Sequence, residues 1–207
     1  VEAATRFAER AERQLPEDAS LRALKADILA RQKDYAGAVR AMDEALRLNP
    51  DLPRGHTRRG LFRLSAGDEE GAMADFREAV EAGEAPDLLA QQMLGRGHEA
   101  YFQTGQYDRA AATFEAALEF ARQPATRQQL QFFTAFSYYQ AGEKIDAANQ
   151  QAEACGPARR ALERFQQVLP HLNRAGDTQA KSQAEIRAAT DAQIYRQQAI
   201  LKKPACR

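Results

Sequence analysis

One spaced pattern of apolar residues recurs along the chain and restricts it to a fold built from helical units. The pattern places an alanine, a second apolar residue four positions later and a third apolar residue three positions after that, which together occupy one face of an α-helix. It occurs at Ala4/Ala8/Ala11, Ala38/Met42/Ala45, Ala72/Phe76/Ala79, Ala110/Phe114/Ala117 and, loosened, at Ala161/Phe165/Val168. The first three copies are evenly spaced, and the fourth begins four positions later than that spacing would place it. This regularity predicts a series of similar helical units.

Composition and turn residues agree with that prediction. Ala, Gln, Glu, Arg and Leu dominate the sequence, all of them good helix formers, and no alternating strand pattern extends over four to eight residues. Pro16 and Pro50, separated by the interval between the first two copies, each close a helical segment. The four additional residues before the fourth copy fall near Gly83–Pro86, where a loop absorbs an insertion at little cost. The chain is therefore predicted to be all-α.

The pattern resembles the tetratricopeptide repeat, a helix–turn–helix unit of about 34 residues. In residues 19–52 the resemblance rests on Ala26, Asp34, Tyr35, Ala38, Ala45 and Pro50. In residues 53–90 it rests on Gly60, Gly67, Asp68, Ala72, Phe76, Ala79 and a displaced Pro86. In residues 91–127 it rests on Leu94, Tyr101, Gly105, Tyr107, Ala110, Phe114, Ala117 and Pro124, and in 128–141 on Ala135, Tyr138 and Ala141.

The resemblance implies an all-α, right-handed α-solenoid with a long C-terminal capping helix. The predicted segments are the second helix of a truncated repeat at 1–18, repeats at 19–52, 53–90 and 91–127, a degenerate repeat with an insertion at 128–173, and a capping helix with a tail at 174–207. Because an uncovered half-repeat is unfavourable in a solenoid, we expect a start within a repeat at Val1 to mark a piece of a longer array.

Two departures from the family pattern carry structural expectations. His98 stands where the family prefers a small residue, so the helices of the third repeat are expected to cross less closely. After the fourth first-helix pattern, which ends at Gly142, an insertion of roughly fifteen residues is predicted before Ala161 restarts the second-helix pattern.

The resemblance also implies that the first helices line a concave face that accepts a peptide or a helix of a partner. The predicted partner-binding residues on this face are Arg31, Arg54, Arg58, Phe102, Phe132, Phe136 and Tyr139. The arginines would steer an acidic segment, and the aromatic residues would anchor it. An alternative remains open at this stage, in which the inserted segment and the terminal helix cover the aromatic residues. Some chaperone-binding members of the family hold the terminal carboxylate of their partner with Lys and Asn side chains. The corresponding positions of this sequence contain no Lys or Asn, so binding of a terminal carboxylate is not implied.

Charge and composition argue against several other functions. The sequence has 29 basic and 29 acidic residues, which is not the basic balance of a nucleic-acid-binding protein or of a protein held to anionic membranes by charge. No apolar run approaches the length of about 18 residues that a spanning helix requires, so no membrane insertion is predicted. His56, His98 and His171 are far apart and no paired Cys or His motif occurs, so we predict no metal site and no cofactor.

The prediction for function is a protein–protein interaction module, an adaptor or an assembly scaffold, and not an enzyme. The acidic residues lie among basic ones in solvated patterns and do not indicate paired catalytic carboxylates. The alternative is a regulatory or accessory repeat domain of a larger enzyme whose catalytic region lies outside this sequence.

The two cysteines are predicted to form a disulfide. Cys155 precedes one helix and Cys206 follows the last, so antiparallel packing of those helices would bring both cysteines to the same end. A disulfide would indicate a periplasmic or secreted protein. The alternatives are two free thiols in a cytoplasmic protein, or a nucleophilic Cys155 activated at a helix N-terminus.

Overall fold

The computed structural model of the chain describes residues 10, 14–15, 17–149, 154–172 and 180–206. Within these ranges it contains nine α-helices and no strand, which confirms the all-α prediction. The chain divides into two compact units, unit 1 at Val1–Leu89 and unit 2 at Ala90–Arg207. Most of the half-repeat predicted at 1–18 lies outside the described residues.

Unit 1 contains two helical hairpins. Its helices are α1 Ala19–Arg31, α2 Tyr35–Leu48, α3 Gly55–Ala66 and α4 Glu69–Glu81. The helix α1 packs on α2, and α3 packs on both α2 and α4.

Unit 2 contains five of the described helices, and the last three are longer than any in unit 1. In order they are α5 Pro86–Gly97, whose first four residues belong to unit 1, then α6 Tyr107–Ala117, α7 Pro124–Asn149, α8 Cys155–Leu172 and α9 Ala180–Leu201. A π-helical turn at His98–Phe102 continues α5, and a 3₁₀ turn at Pro204–Cys206 follows α9.

The second helices of unit 1 begin with the same cap. The Asp34 carboxylate accepts a hydrogen bond from the Gly37 backbone N–H at 2.8 Å, and Asp68 accepts one from Gly71 at 2.9 Å. A Cβ atom on either glycine would collide with that carboxylate, so the turn requires the aspartate and the glycine together. The cap fixes where α2 and α4 start, because it satisfies a backbone donor that has no partner within the helix.

A close crossing of two helices holds each hairpin together. In the first hairpin, Ala26 of α1 and Met42 of α2 are completely buried in one core. In the second hairpin, a Cβ on Gly60 would lie within 2.7 Å of the Phe76 ring, so only glycine lets α3 approach α4 this closely. The two pairs have the same separation in sequence, as two copies of one design should.

The third hairpin corrects the expectation that His98 loosens its crossing. Gly97 takes the close position instead, since a Cβ there would lie 2.9 Å from the ring of Phe114. The partners of this pair are one position further apart in sequence than those of unit 1. The π-helical turn, closed by the Gln103 backbone N–H donating to the His98 carbonyl at 2.9 Å, accommodates the extra residue. His98 therefore lies beside the crossing, and the helices stay close.

The fourth hairpin corrects the predicted insertion. The helix α7 continues through the expected break to Asn149, and the glycine at its crossing is Gly142, where a Cβ would lie 2.7 Å from the Phe165 ring. The partners of this pair are seven positions further apart than those of unit 1, which corresponds to two helical turns. Much of the predicted insertion is thus an extension of α7, and Ala135, predicted at the crossing, packs one heptad earlier beside Ala111 and Leu172.

The terminal helix α9 packs on α8 and on the extended part of α7. The Gln197 side chain, which is completely buried, donates to Asp146 at 2.7 Å, and Gln193 donates to Glu143 at 2.6 Å. The connection between α8 and α9, at residues 173–179, lies outside the described residues.

The tail after α9 turns back onto the start of α8. The Sγ atoms of Cys155 and Cys206 lie at disulfide-bond distance, and their Cα atoms are 5.5 Å apart. Arg159 also donates a hydrogen bond to the Cys206 carbonyl at 3.1 Å. The bond joins positions separated by 51 in sequence and so encloses α8 and α9.

We predict that Gly60→Leu lowers the free energy of unfolding by about 1–3 kcal/mol, because the new side chain overpacks the crossing with Phe76. The matched control is Gly95→Leu, since a Cβ at Gly95 of α5 meets no atom within 4 Å. The control should be neutral or stabilising, because leucine is the better helix former. Urea unfolding measures both variants, and an unchanged midpoint for Gly60→Leu would contradict this crossing.

We also predict that reduction of the disulfide lowers the free energy of unfolding by about 2–4 kcal/mol, because the unfolded chain regains conformational freedom. Non-reducing peptide mapping should recover Cys155 and Cys206 in one cross-linked species, and dithiothreitol should lower the Tm. The variant with Cys155→Ser and Cys206→Ser should have the Tm of the reduced wild type, and dithiothreitol should not change it. Recovery of both cysteines as alkylated thiols from protein isolated without reductant would contradict the bond.

Candidate functional site

The predicted arginines of unit 1 differ in what they contact. Arg31 and Arg54 are exposed, and Arg54 begins α3 from a left-handed conformation with φ 56°. Arg58 instead donates to the Asp27 carboxylate at 2.6 Å and to the Ala23 carbonyl at 2.8 Å. Its charge is balanced by Asp27, so within unit 1 the exposed positive charge of this predicted set lies at Arg31 and Arg54.

Three of the four predicted aromatic residues come together in unit 2. The ring centroids of Phe102 and Phe136 are 5.5 Å apart, and those of Phe132 and Phe136 are 6.2 Å apart and stacked. We call these three residues the aromatic cluster. All three side chains are half-buried, so the cluster presents part of its ring surface to solvent. Phe102 lies on the π-helical turn after α5, and the other two lie one turn apart on α7.

Tyr139 packs into a different part of unit 2. Its ring lies 5.8 Å from that of Phe165, which is completely buried. Tyr139 and Ile186 of α9 both pack against the core formed by Ala135 and its neighbours. Burial, together with the negative charge of Glu143, raises the pKa of the Tyr139 hydroxyl. The terminal helix therefore packs close to Tyr139. The side-chain hydrogen bonds between α9 and α7 lie further along α7, at Glu143 and Asp146.

The ring contacts of two residues, His98 and Phe133, were not predicted from the sequence. His98 stacks on Phe102 with ring centroids 5.3 Å apart, and Phe133 lies edge-on to both His98 and Phe132 at about 6 Å. The π-helical turn sets this arrangement, because it carries His98 and Phe102 on one face. The sequence signal that could have revealed Phe133 is its place directly after Phe132 in α7.

A buried ion-pair network holds α3 against α4 in unit 1. Asp75 is 2% exposed, and it accepts hydrogen bonds from Arg59 at 2.6 Å and from Arg63 at 2.9 Å. Burial alone would lower the pKa of Arg59, but the hydrogen bonds and charges of Asp75 and Asp43 outweigh it and raise that pKa. Since the buried carboxylate is matched by cations, this network is structural.

A second polar contact joins α6, α7 and α8 in unit 2. Glu115 accepts a hydrogen bond from the Tyr138 hydroxyl at 2.9 Å, and the His171 Nε2 atom lies 3.0 Å from its other oxygen. The hydrogen bond with His171, and then that with Tyr138, hold the pKa of Glu115 below its ordinary value despite partial burial.

The described residues give each histidine and cysteine a structural contact. His56 lies 3.3 Å from Glu78, His98 is in the aromatic contacts above, and His171 lies against Glu115. Cys155 is paired with Cys206, so it is not a free nucleophile in this structure. Among the described residues no group of three His, Cys, Asp or Glu side chains could hold a metal ion. In the same ranges, no helix is long and apolar enough to cross a membrane.

Family models of the tetratricopeptide repeat match most of unit 1 and part of unit 2. One model matches residues 2–53 and 34–87, and a second matches residues 96–124. Together the matched segments cover more than half of the chain, including both hairpins of unit 1 and α6, the second helix of the third hairpin.

Individual relatives share shorter or weaker similarity. Protein FlbA of Caulobacter vibrioides is 34% identical over 98 residues, which is 42% of this chain and 16% of FlbA. The chain therefore spans about one sixth of the length of that relative. Two solved structures are similar at 19% identity and a TM-score of 0.43. They are YrrB, a TPR protein with an unusual peptide-binding site, over 88% of this chain and 97% of its own, and PilW, a widely conserved type IV pilus biogenesis factor, over 99% and 88%.

We predict that the stabilising effect of Glu115 disappears in acid. Because the folded pKa of Glu115 is lowered from its ordinary value of 4.5, its contribution is complete above pH 4.5 and is lost as the pH falls through the lowered value. The free energy of unfolding of Glu115→Gln should lie below that of the wild type at pH 6, and the two should converge towards pH 3. The control is Glu119→Gln on an exposed position of the following turn, and a constant difference for Glu115→Gln across this range would contradict the assignment.

Proposed function

We propose that this chain, which belongs to the tetratricopeptide repeat family, is an adaptor or assembly scaffold. It binds a segment of a partner protein on the first helices of its repeats. Repeats of this family are generally non-catalytic modules of protein–protein interaction. The binding of an extended peptide or a helix is the specific part of the proposal.

The aromatic cluster is the observation that carries this proposal. Phe102 and Phe136 come from successive first helices, and their half-buried rings offer apolar area that a partner side chain can cover. Aromatic side chains gain much contact area for little loss of conformational entropy, so they are common anchors at interfaces. Tyr139 packs on Phe165 in a different part of unit 2, so the proposal does not depend on it.

The arginines of unit 1 favour an acidic partner. Arg31 and Arg54 are exposed, so they would mainly raise the rate of association with an acidic segment, and salt would weaken their effect. Arg58 contributes less to this attraction because Asp27 balances its charge.

The disulfide between Cys155 and Cys206 favours an oxidising compartment as the place of this interaction. Structural disulfides persist in the bacterial periplasm and outside the cell, and they are rare in the cytoplasm. We therefore propose that the chain meets its partner in a periplasmic or secreted setting.

The test is affinity capture of the partner with the wild-type chain and with Phe102→Ala/Phe136→Ala, read by mass spectrometry and then by the Kd of the recovered partner. Loss of two anchors should weaken binding at least a hundredfold, since each buried aromatic at a hot spot accounts for about 2 kcal/mol. The Tm should fall only slightly, because both rings are half-buried.

The matched control is Tyr195→Ala, which removes an aromatic ring that is 75% exposed on α9. It should bind the partner as the wild type does. Unchanged binding by Phe102→Ala/Phe136→Ala would contradict the proposal, and so would a double variant that is unfolded at room temperature, because the rings would then be core.

A further inference from the structure

Unit 2 contains a cleft whose lining includes none of the three residues of the aromatic cluster, although the ring of Tyr107 in that lining lies 5.3 Å from that of Phe102. Its volume is about 580 Å³, and it lies between the start of α6, the last turns of α7 and the start of α8. The residues that matter for its chemistry are Arg109, Lys144, Ile145, Ala148, Pro157 and Arg160.

The cleft depends on the two additional turns of α7. Lys144, Ile145 and Ala148 all follow Gly142, the glycine at the crossing with Phe165. These turns extend α7 beside the turn that precedes α6, where the Lys144 Nζ atom donates to the Gly105 carbonyl at 2.9 Å. A fourth hairpin with the spacing of unit 1 would have an α7 shorter by seven residues, so it would lack this wall of the cleft.

The turn before α6 also differs from its two counterparts in unit 1. Where α2 and α4 begin with an aspartate and a glycine three residues later, α6 has Gln106 and Arg109. The replacement removes one negative charge and adds one positive charge at the same place in the repeat. Arg109 is held over the Tyr101 ring, with its guanidinium carbon 4.3 Å from the centroid, and it donates to the Tyr101 hydroxyl at 3.1 Å.

The charged residues that line the cleft are mostly cations. They come from three elements, with Arg109 on α6, Lys144 on α7 and Arg160 on α8. The acidic residue in the lining is Asp108, and its carboxylate is paired with Arg164 at 2.5 Å. Lys144 and Arg160 are exposed at the rim, and neither has an ion-pair partner among the described residues. The rim therefore has a net positive charge.

The walls between these cations are apolar. Ala141, Ile145 and Ala148 contribute one side from α7, and Pro157 contributes the other from α8. An inorganic anion would leave this surface without a contact, whereas an apolar side chain flanked by carboxylates would satisfy both the walls and the rim.

We propose that this cleft binds an acidic segment of a partner polypeptide, with an apolar side chain against Ile145 and Ala148 and flanking carboxylates at Lys144, Arg160 and Arg109. The site lies on the start of second helices and on the α7 extension, so it is a second interaction surface in addition to the aromatic cluster. The disulfide holds Cys155, two residues before Pro157, and thereby fixes the start of α8 that forms one wall.

The charge test uses a fluorescein-labelled peptide Asp-Glu-Leu-Glu-Asp and the full chain in a fluorescence anisotropy titration at low salt. Lys144→Gln/Arg160→Gln should weaken binding at least tenfold. The matched control Lys33→Gln/Lys202→Gln removes the same charge from exposed positions outside the cleft, and it should change the Kd less than twofold. The neutral peptide Asn-Gln-Leu-Gln-Asn should bind at least tenfold more weakly than the acidic one.

The shape test separates the cleft from the general charge of the chain. Ala148→Trp fills the cleft from an exposed position and should abolish binding of the acidic peptide, while Ala147→Trp, also exposed but outside the cleft, should leave it unchanged. Thermal unfolding of each variant confirms that it is folded, and Lys144→Gln/Arg160→Gln decides the matter if Ala148→Trp does not fold.

A third pair of variants distinguishes this proposal from the proposed function. Arg31→Gln/Arg54→Gln and Phe132→Ala should leave binding of the peptide at the cleft intact, since none of these residues lines the cleft. If either of these weakens peptide binding tenfold while Lys144→Gln/Arg160→Gln does not, the cleft proposal is overturned and the first-helix surface is favoured. Equal binding of the acidic peptide by all variants, or equal binding of the acidic and neutral peptides, would also overturn it.

Discussion

The contact on which every hairpin depends is a small residue of one helix packed against a bulky side chain of the next. Ala26 with Met42, Gly60 with Phe76, Gly97 with Phe114 and Gly142 with Phe165 are the four instances. Because the small residue has little or no side chain, the two helix axes approach closely and the bulky residue is fully buried. Where this contact falls along the two helices sets how they are aligned with each other in the hairpin.

This dependence explains how much of the fold could be predicted from the sequence. The spacing of Ala38, Met42 and Ala45 and its copies predicts the second helices, because burial of one helix face imposes that period. It does not predict how a repeat absorbs additional residues. One residue at His98 becomes a π-helical turn and seven residues after Gly142 become two turns of helix, since both solutions return the small residue to its partner. The sequence pattern is equally consistent with a loop insertion after Gly142. In a loop, however, Asp146 would not lie on a helix face that packs against α9, where it accepts the hydrogen bond from Gln197.

For the candidate site, the repeat pattern predicts which residues lie on first helices but not which neighbours they contact. The resemblance assigns Phe102, Phe132 and Phe136 to first helices, and in the structure their rings are neighbours in unit 2. It contains no information on what each side chain contacts across the hairpin. Arg58 is paired with Asp27 because α1 and α3 come within reach of each other, and Tyr139 packs on Phe165 because the extended α7 carries the crossing one heptad further. Long side chains choose partners by such tertiary distances, which are not encoded in the repeat period.

The extension of α7 links the terminal helix with the cleft. One face of the added turns carries Asp146, which is 3% exposed and accepts a hydrogen bond from the buried Gln197 of α9. Another face carries Lys144, Ile145 and Ala148, which stay accessible and line the cleft. Because α9 buries the Asp146 carboxylate, the hydrogen bond from Gln197 is needed to offset the cost of removing that group from water. The cap formed by α9 and its disulfide therefore stabilises the same two turns that present the cleft, so the stability of the terminal helix and the shape of the second interaction surface depend on a single change in helix length.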